Sequence, residues 1–305
     1  MLTATGLTKR FGSLVAVQDV SLAVPVGCVT GMLGPNGAGK TTTLRMLCGV
    51  LEPDSGTIAL NGVDLRADPR RAKAHLGWLP DSAPAWAELR VEDWLKLRTR
   101  LFGSGMDRID LVLEQCDLVD VRRRIIGRLS RGYRQRVALA AAIVHDPALL
   151  ILDEPGTGLD PVQQRAFRAL IRTLAKDRAV LLSTHQLSDA QAICDNLILI
   201  ADGRIVAEGT VEDLRRTAAA GRLTLETQCD PSAVLSAVEG IADTTCAKLS
   251  DGWYRATITP SDGGADLRRV VANAIAQAGL QWRELSLDGG ALESLIESHL
   301  EGAQA

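Results

Sequence analysis

Residues 34–41 have the glycine, lysine and threonine spacing that can hold a chain of phosphates. They read Gly34-Pro35-Asn36-Gly37-Ala38-Gly39-Lys40-Thr41, which satisfies G-x-x-x-x-G-K-[ST]. The glycines let backbone amides point into one concavity that suits anionic oxygens. We expect Lys40 to reach the β- and γ-phosphates and the Thr41 hydroxyl to join a Mg²⁺ shell. The expected phosphate contacts are Asn36, Gly37, Gly39, Lys40, Thr41 and Thr42.

Two carboxylates follow an apolar run later in the chain. Leu149-Leu150-Ile151-Leu152 ends in Asp153 and Glu154. An acidic pair after a core strand can simply be a cap or a solvated end. Beside a phosphate loop it favours hydrolysis, because that reaction needs one carboxylate to anchor Mg²⁺ and a second group to polarise water. We assign the first task to Asp153 and the second, as general base, to Glu154.

A histidine ends the next apolar run. The segment Leu181-Leu182-Ser183-Thr184-His185 reads as the end of a buried strand. A lone histidine in such a setting is usually a satisfied core residue. Its place one strand beyond the Asp-Glu pair also makes His185 a candidate sensor of the terminal phosphate. The residues alone leave both interpretations open.

The surrounding patterns predict the elements that position these groups. Residues 3–26 read as antiparallel strands, 29–33 as a short buried strand before the Gly-rich turn, and 40–48 as a helix. Asn61-Gly62 marks a hairpin over 57–66, and residues 88–145 read as mostly helical. Strands 148–153 and 179–184 flank helix 161–177, which is a βαβ unit of a parallel sheet. Residues 197–207 read as a closing hairpin.

Composition shifts near Arg215, and 217–221 reads as a linker. Beyond it the predicted order is strand 222–228, helix 231–239, strands 243–249 and 253–259, helix 265–278, strand 281–287 and helix 291–301. This β-α-β-β-α-β order predicts a small ferredoxin-like domain with one extra helix. We therefore expect domains at 1–215 and 216–305.

The overall composition limits the classes of function that the chain can have. The chain has 305 residues, 46% hydrophobic, with a net charge of −3. It offers no basic surface for nucleic acid. Six cysteines scattered through apolar segments predict buried free thiols in a reducing cytosol. We expect no signal peptide, and no apolar run approaches the roughly 18 residues that span a bilayer. Any membrane part would come from another chain.

Taken together, the motifs of residues 1–215 resemble the ATP-binding cassette of ABC transporters. The resemblance implies that Phe11 stacks on adenine, that Asp81 stands where the family usually has Gln, and that His185 is the switch histidine. It also implies that the motif beginning Leu129-Ser130-Arg131-Gly132 faces a second cassette. The residues so matched are Phe11, Asp81, Ser130, Gly132, Asp160 and His185.

The implied fold is an α/β P-loop cassette with an antiparallel β-subdomain, a parallel-sheet core and an inserted helical subdomain. The implied assembly is a homodimer or a pair of cassettes that binds two ATP molecules, with Mg²⁺, between its two subunits. It would drive a separate transmembrane permease from the cytoplasmic face of the membrane. The segment Trp78–Trp94 is the expected docking surface, although its tryptophans could equally be core.

Three departures from the family pattern bear on the function. Arg131 and Tyr133 replace the usual residues of the Leu-Ser-Gly-Gly-Gln motif, which favours exporters with a separate permease. Gly156 stands where Ser or Thr is usual and is expected to loosen the loop that carries Asp160. Asp81 is shorter than Gln and cannot donate a hydrogen bond when ionised, which suggests slower turnover or weaker coupling.

Two other functions stay open. One is the ATPase of an importer whose C-terminal domain senses a ligand. The other is an ABC ATPase that acts on ribosomes or DNA, which the single cassette and the near-neutral charge disfavour. The C-terminal segment 292–295, Leu-Glu-Ser-Leu, is similar to the ending of some exporter ATPases. The transported substrate is not encoded in these residues.

Overall fold

The structure is a computed structural model that describes residues 1–81, 86–218, 223–261 and 267–287. The chain separates into two compact units, Met1–Val211 and Glu212–Ala305. The predicted domain boundary at residue 215 falls inside helix α8, Val211–Ala218.

The first sheet of the N-terminal unit is antiparallel, as predicted. Its strands lie in the order β2-β1-β4-β5. Side chains alternate along β1 and β2, and Leu2, Leu7, Val20 and Val24 are fully buried. The strands are β1 Leu2–Phe11, β2 Leu14–Val24, β4 Ser55–Leu60 and β5 Val63–Asp64.

The second sheet has six strands in the order β10-β9-β3-β8-β7-β6. All pairs are parallel except β9 with β10. Strands β3, β7 and β8 are buried along their whole length, as expected for parallel strands covered on both faces. The strands are β3 Val29–Leu33, β6 Leu76–Leu79, β7 Leu149–Leu152, β8 Ala179–Thr184, β9 Asn196–Ala201 and β10 Arg204–Thr210.

Helices connect these strands and form the predicted helical insertion between β6 and β7. Short 3₁₀ turns lie at Val119–Val121 and Ile126–Arg128. The helices of this unit are α1 Lys40–Leu47, α2 Pro69–Ala74, α3 Val91–Phe102, α4 Arg108–Gln115, α5 Arg131–Ile143, α6 Pro161–Ala175 and α7 Leu187–Ile193.

The C-terminal unit contains an antiparallel sheet in the order β12-β13-β11-β14. Numbered within the unit, this is the 2-3-1-4 order of the predicted ferredoxin-like module. Its core includes the fully buried residues Leu223, Leu225, Leu235, Ala256, Ile258, Val271 and Ile275. Its elements are β11 Leu223–Thr227, α9 Ser232–Leu235, β12 Ile241–Lys248, β13 Tyr254–Pro260, α10 Arg268–Gln277 and β14 Trp282–Leu287. The predicted helix 291–301, with the 292–295 segment, lies outside the described residues.

The cysteines differ in part from expectation. All six are free, but Cys229 and Cys246 are exposed. Cys246 lies on β12, which is an edge strand with exposed side chains along most of its length. The prediction of buried thiols is therefore wrong for these two residues.

Candidate active site

A cleft of about 650 Å³ brings most of the predicted site residues together. It opens where β3, β7 and β8 end, which is the edge where parallel α/β sheets bind ligands. The predicted residues that line it are Phe11, Asn36, Gly37, Gly39, Lys40, Thr41, Thr42, Asp81, Glu154 and His185.

The loop between β3 and α1 needs its glycines. Gly37 and Gly39 have φ of 85° and 100°, a region that side chains other than glycine rarely adopt. A Cβ on Gly39 would also lie 2.6 Å from the backbone oxygen of Ala16. The loop can therefore follow this path into α1, which starts at Lys40, only if residue 39 has no side chain.

Lys40 is held inside the loop that precedes it. Its side chain is only 6% exposed, and Nζ donates hydrogen bonds to the carbonyl oxygens of Gly34 at 2.7 Å and Pro35 at 2.9 Å. Burial lowers the pKa of Lys40, and the nearby carboxylates of Glu154 and Asp153 oppose that shift. The ammonium group thus lies between backbone oxygens and two acidic residues.

Asp153 faces the Thr41 hydroxyl across the cleft floor. Asp153 is 2% exposed, and its Oδ1 lies 3.5 Å from Thr41 Oγ1. Ser183 Oγ donates to the same Oδ1 at 2.6 Å. A hydroxyl and a carboxylate are the oxygen donors that Mg²⁺ prefers. The described residues contain no group of three or more His, Cys, Asp or Glu side chains that could hold a metal.

Glu154 is fixed by three contacts at the end of β7. Its backbone adopts φ 48°, a conformation that costs energy outside glycine and recurs at functional sites. Its amide donates to Ser183 Oγ at 2.9 Å. Its Oε2 lies 2.7 Å from His185 Nδ1 and accepts from Thr157 Oγ1 at 3.2 Å. The carboxylate therefore points into the cleft with a defined orientation.

Ser130, Gly132 and Asp160 do not line this cleft. Ser130 caps α5, accepting a hydrogen bond from the Tyr133 amide at 3.4 Å. Asp160 caps α6, accepting from the amides of Val162 and Gln163 at 2.9 and 2.8 Å. Ser130 and Asp160 are exposed. These three residues thus lie at the starts of two helices, apart from Lys40.

Sequence reasoning missed three polar residues at the site: Ser183, and Thr157 and Asp202, which line the cleft. Ser183 is the most informative, because it contacts both acidic residues. The only signal in the sequence was a serine at the end of the apolar run before His185. In the structure Leu182 pairs with Leu152 across β8 and β7, which places Ser183 beside Asp153.

The tryptophans predicted to form a docking surface differ in exposure. Trp94 is 8% exposed, and Trp78 is half-buried against the core, whereas Trp86 is 60% exposed. Trp78, Trp94 and Arg98 line a second cleft of about 160 Å³. Residues 82–85 lie outside the described part of the chain.

Gly156 has space around it. A Cβ there would lie 3.5 Å from Asp189 Oδ2, which is ordinary van der Waals contact. The structure therefore accommodates the Ser that is usual in the resembled family.

Comparisons with known proteins identify the family and the fold. The model of the family described as "ABC transporter" matches residues 17–157. The daunorubicin resistance ATP-binding protein DrrA3 of Streptomyces coeruleorubidus is 32% identical over 310 residues, covering 99% of this chain and 96% of that protein. The probable multidrug ABC transporter ATP-binding protein YbhF of Escherichia coli (strain K12) is 35% identical over 224 residues, which cover 72% of this chain. The match spans only 39% of the YbhF protein.

A solved "ATP binding subunit of ABC transporter" is 30% identical and has a TM-score of 0.65, covering 71% of this chain and 92% of that chain. Within the described residues, no helix is long and apolar enough to cross a membrane. The predicted cassette fold is confirmed, and the chain belongs to the ABC transporter family, among its ATP-binding ATPase subunits.

Proposed function

We propose that this chain hydrolyses ATP as the motor subunit of an exporter, working as a homodimer on a separate permease at the cytoplasmic face of a membrane. One observation carries the proposal: a single cleft gathers a phosphate loop, a cation-binding pair and an oriented carboxylate. Residues of the phosphate loop and the Glu154–His185 pair line the cleft, and the Thr41 hydroxyl in its lining lies 3.5 Å from Asp153.

The phosphate loop supplies positive potential for the nucleotide. The loop amides and the N-terminus of α1 attract phosphate oxygens. Lys40 Nζ would exchange its bonds to the Gly34 and Pro35 carbonyls for bonds to the β- and γ-phosphates. Phe11 is half exposed at the cleft and offers a face for the base, which would contribute about 1–3 kcal/mol of stacking.

Thr41 and Asp153 would hold Mg²⁺ in the cleft, with Asp81 reaching it directly or through water. The bound cation would neutralise charge on the phosphates during transfer. Ser183 keeps the Asp153 carboxylate facing Thr41, since its hydroxyl donates to Oδ1. The protein thus fixes one carboxylate and one hydroxyl before the nucleotide arrives.

Glu154 is our candidate general base. Its carboxylate would accept the proton of the attacking water as the bond to the γ-phosphate breaks. His185 and Thr157 hold Oε2 and so restrict the directions from which water can be bound. In this proposal His185 also senses the γ-phosphate.

The dimer follows from the residues that lie outside the cleft. Ser130, Gly132 and Asp160 are not among the residues that line this chain's own cleft, yet they match motifs that contact nucleotide in the resembled family. We assign them to the neighbouring chain's ATP, so that each ATP is held from both sides. Loss of the γ-phosphate would open the sandwich and move the permease.

Two observations support export rather than import. The relatives named above are called a probable multidrug transporter subunit and a daunorubicin resistance protein. Arg131 and Tyr133 follow the pattern of the exporter branch. The exposed Trp86 and the Trp78–Trp94 cleft are the surface we assign to the permease.

Glu154→Gln tests the mechanism, because glutamine keeps the shape and loses the basic carboxylate. We expect ATP hydrolysis to fall at least 100-fold and an ATP-bound dimer to accumulate, as seen by size-exclusion chromatography with light scattering. Glu239→Gln, at an exposed glutamate of the other unit, is the matched control. Normal hydrolysis by Glu154→Gln would remove Glu154 from the role of base.

A further inference from the structure

Helix α5 connects Ser130, which we assign to the neighbouring chain's ATP, with the loop after Glu154, which we assign to this chain's own ATP. It begins after Ser130, which we place against the neighbouring chain's nucleotide. One turn further on, Gln135 Nε2 donates a hydrogen bond to the carbonyl oxygen of Pro155 at 3.1 Å. Pro155 directly follows Glu154, the candidate base of this chain's own site.

The first turn of α5 also packs directly on the loop after Glu154. A Cβ on Gly132 would lie 2.6 Å from Gln163 Oε1, so this turn approaches the start of α6 closely. The Arg131 guanidinium covers Gly158 so tightly that a Cβ there would overlap it. The first turn of α5 and the loop after Glu154 are therefore in direct contact through the side chains of Arg131 and Gln163.

Two glutamines hold consecutive carbonyls of that loop. Gln135 of α5 holds Pro155, and Gln164 Nε2 of α6 donates to the Gly156 oxygen at 3.3 Å. Both side chains are partly buried. The two bonds are similar in chemistry and adjacent in position, but only Gln135 lies on the helix that starts at Ser130.

We propose that Gln135 is a positioning residue that couples the two ATP sites of the dimer. When Ser130 engages the neighbour's nucleotide, α5 is fixed, and the Gln135–Pro155 bond sets the backbone from which Glu154 projects. Hydrolysis at one site thereby depends on occupancy of the other. The inference rests on the proposed function, since it uses the roles given to Ser130 and Glu154.

The test compares Gln135→Met with Gln164→Met in the full-length protein. Methionine keeps the length of the side chain and removes the donor. We expect Gln135→Met to lower kcat about tenfold, because small misplacements of a catalytic group cost one to two orders of magnitude. We also expect its Hill coefficient for ATP to fall toward 1, while Gln164→Met keeps the wild-type Hill coefficient.

Two further measurements separate positioning from folding. Binding of a fluorescent ATP analogue and the melting temperature should stay at wild-type values in both variants. Gln135→Lys, whose ammonium group can donate to the Pro155 oxygen, should recover most of the lost kcat. If Gln135→Met does not fold, Gln135→Glu replaces it, because its carboxylate has the same shape and cannot donate.

Three results would overturn the coupling: wild-type kinetics in Gln135→Met, identical effects of the two methionine variants, or a wild-type Hill coefficient of 1. The Glu154→Gln variant separates this failure from failure of the proposed function. If Glu154→Gln traps a dimer and Gln135→Met has wild-type kinetics, only the coupling is wrong. If Glu154→Gln hydrolyses ATP normally, the proposed function fails first.

Discussion

Ser183→Ala is the perturbation that bears most directly on how the site is built. The Ser183 hydroxyl donates to Asp153 Oδ1 at 2.6 Å and accepts from the Glu154 amide at 2.9 Å. It is fully buried, so water cannot replace it. Alanine fits the space but leaves the buried Asp153 carboxylate oxygen and the partly buried Glu154 amide each without the Ser183 hydrogen bond.

The size of the effect follows from these two bonds. A hydrogen bond to a charged group contributes about 1.5–3 kcal/mol, and a buried amide left unpaired costs about 1–3 kcal/mol. Thr41 Oγ1 at 3.5 Å from Asp153 is too far to compensate fully. We therefore expect the free energy of unfolding to fall by about 3 kcal/mol.

The effect on function should appear in the magnesium dependence. Loss of a group that orients a metal ligand typically costs 10–100-fold in metal affinity. We expect the Mg²⁺ concentration for half-maximal ATP hydrolysis to rise about tenfold or more in Ser183→Ala. Denaturant unfolding gives the stability, and ATPase assays over a Mg²⁺ titration give the affinity.

Thr30→Val is the matched control on the adjacent strand β3. The Thr30 hydroxyl is buried and has no hydrogen-bond partner among the described residues. Its removal should leave stability unchanged or higher, because no bond is lost. The reasoning is wrong if Ser183→Ala and Thr30→Val have equal effects, or if Ser183→Ala leaves both stability and Mg²⁺ dependence at wild-type values.

Three further substitutions have clear expected results. Gly39→Ala should abolish binding of a fluorescent ATP analogue, because φ is 100° and the new Cβ would lie 2.6 Å from the Ala16 oxygen. Gly156→Ser should change the free energy of unfolding by less than about 0.5 kcal/mol in denaturant titrations, because its Cβ would lie 3.5 Å from Asp189 Oδ2; a larger loss would contradict the available space. Burial lowers the pKa of His145 to about 4, so the unfolded chain takes up this proton first as pH falls below about 6.5. Stability should therefore drop between about pH 6.5 and 4, by at most about 1.4 kcal/mol per pH unit, and His145→Gln should flatten that part of the stability curve; parallel curves would show that His145 does not contribute.

Features that are local in the chain were predictable from the sequence. The phosphate loop at Gly34–Thr41 and the run from Leu149 to Glu154 each combine a buried strand with fixed spacing of chemical groups. Such patterns depend on neighbours a few residues away, so the sequence alone contains them. The β-α-β-β-α-β order of elements along the C-terminal unit was predictable in the same way, from the alternation of strand and helix patterns.

Burial of single side chains was not predictable in this way. Trp86 and Trp94 read alike in the sequence, yet one is exposed and the other is buried. Trp94 lies on the inner face of α3, beside Val91 and Leu95, which are also buried. Which face of a helix turns inward depends on the partner against which it packs, and that partner lies elsewhere in the chain.

The contacts of Asp153 and Glu154 depend on the order of strands in the sheet, which is the feature of a fold that is hardest to predict from a sequence. In the sheet, β8 lies between β3 and β7, although it follows both in the chain. Residues at the end of β8 must therefore fall between the phosphate loop, which follows β3, and the acidic pair, which follows β7. This placement explains why Ser183 contacts Asp153 and why His185 contacts Glu154. It also means that a shift of β8 by one residue would move both contacts at once, so the end of this strand controls the cation site and the base together.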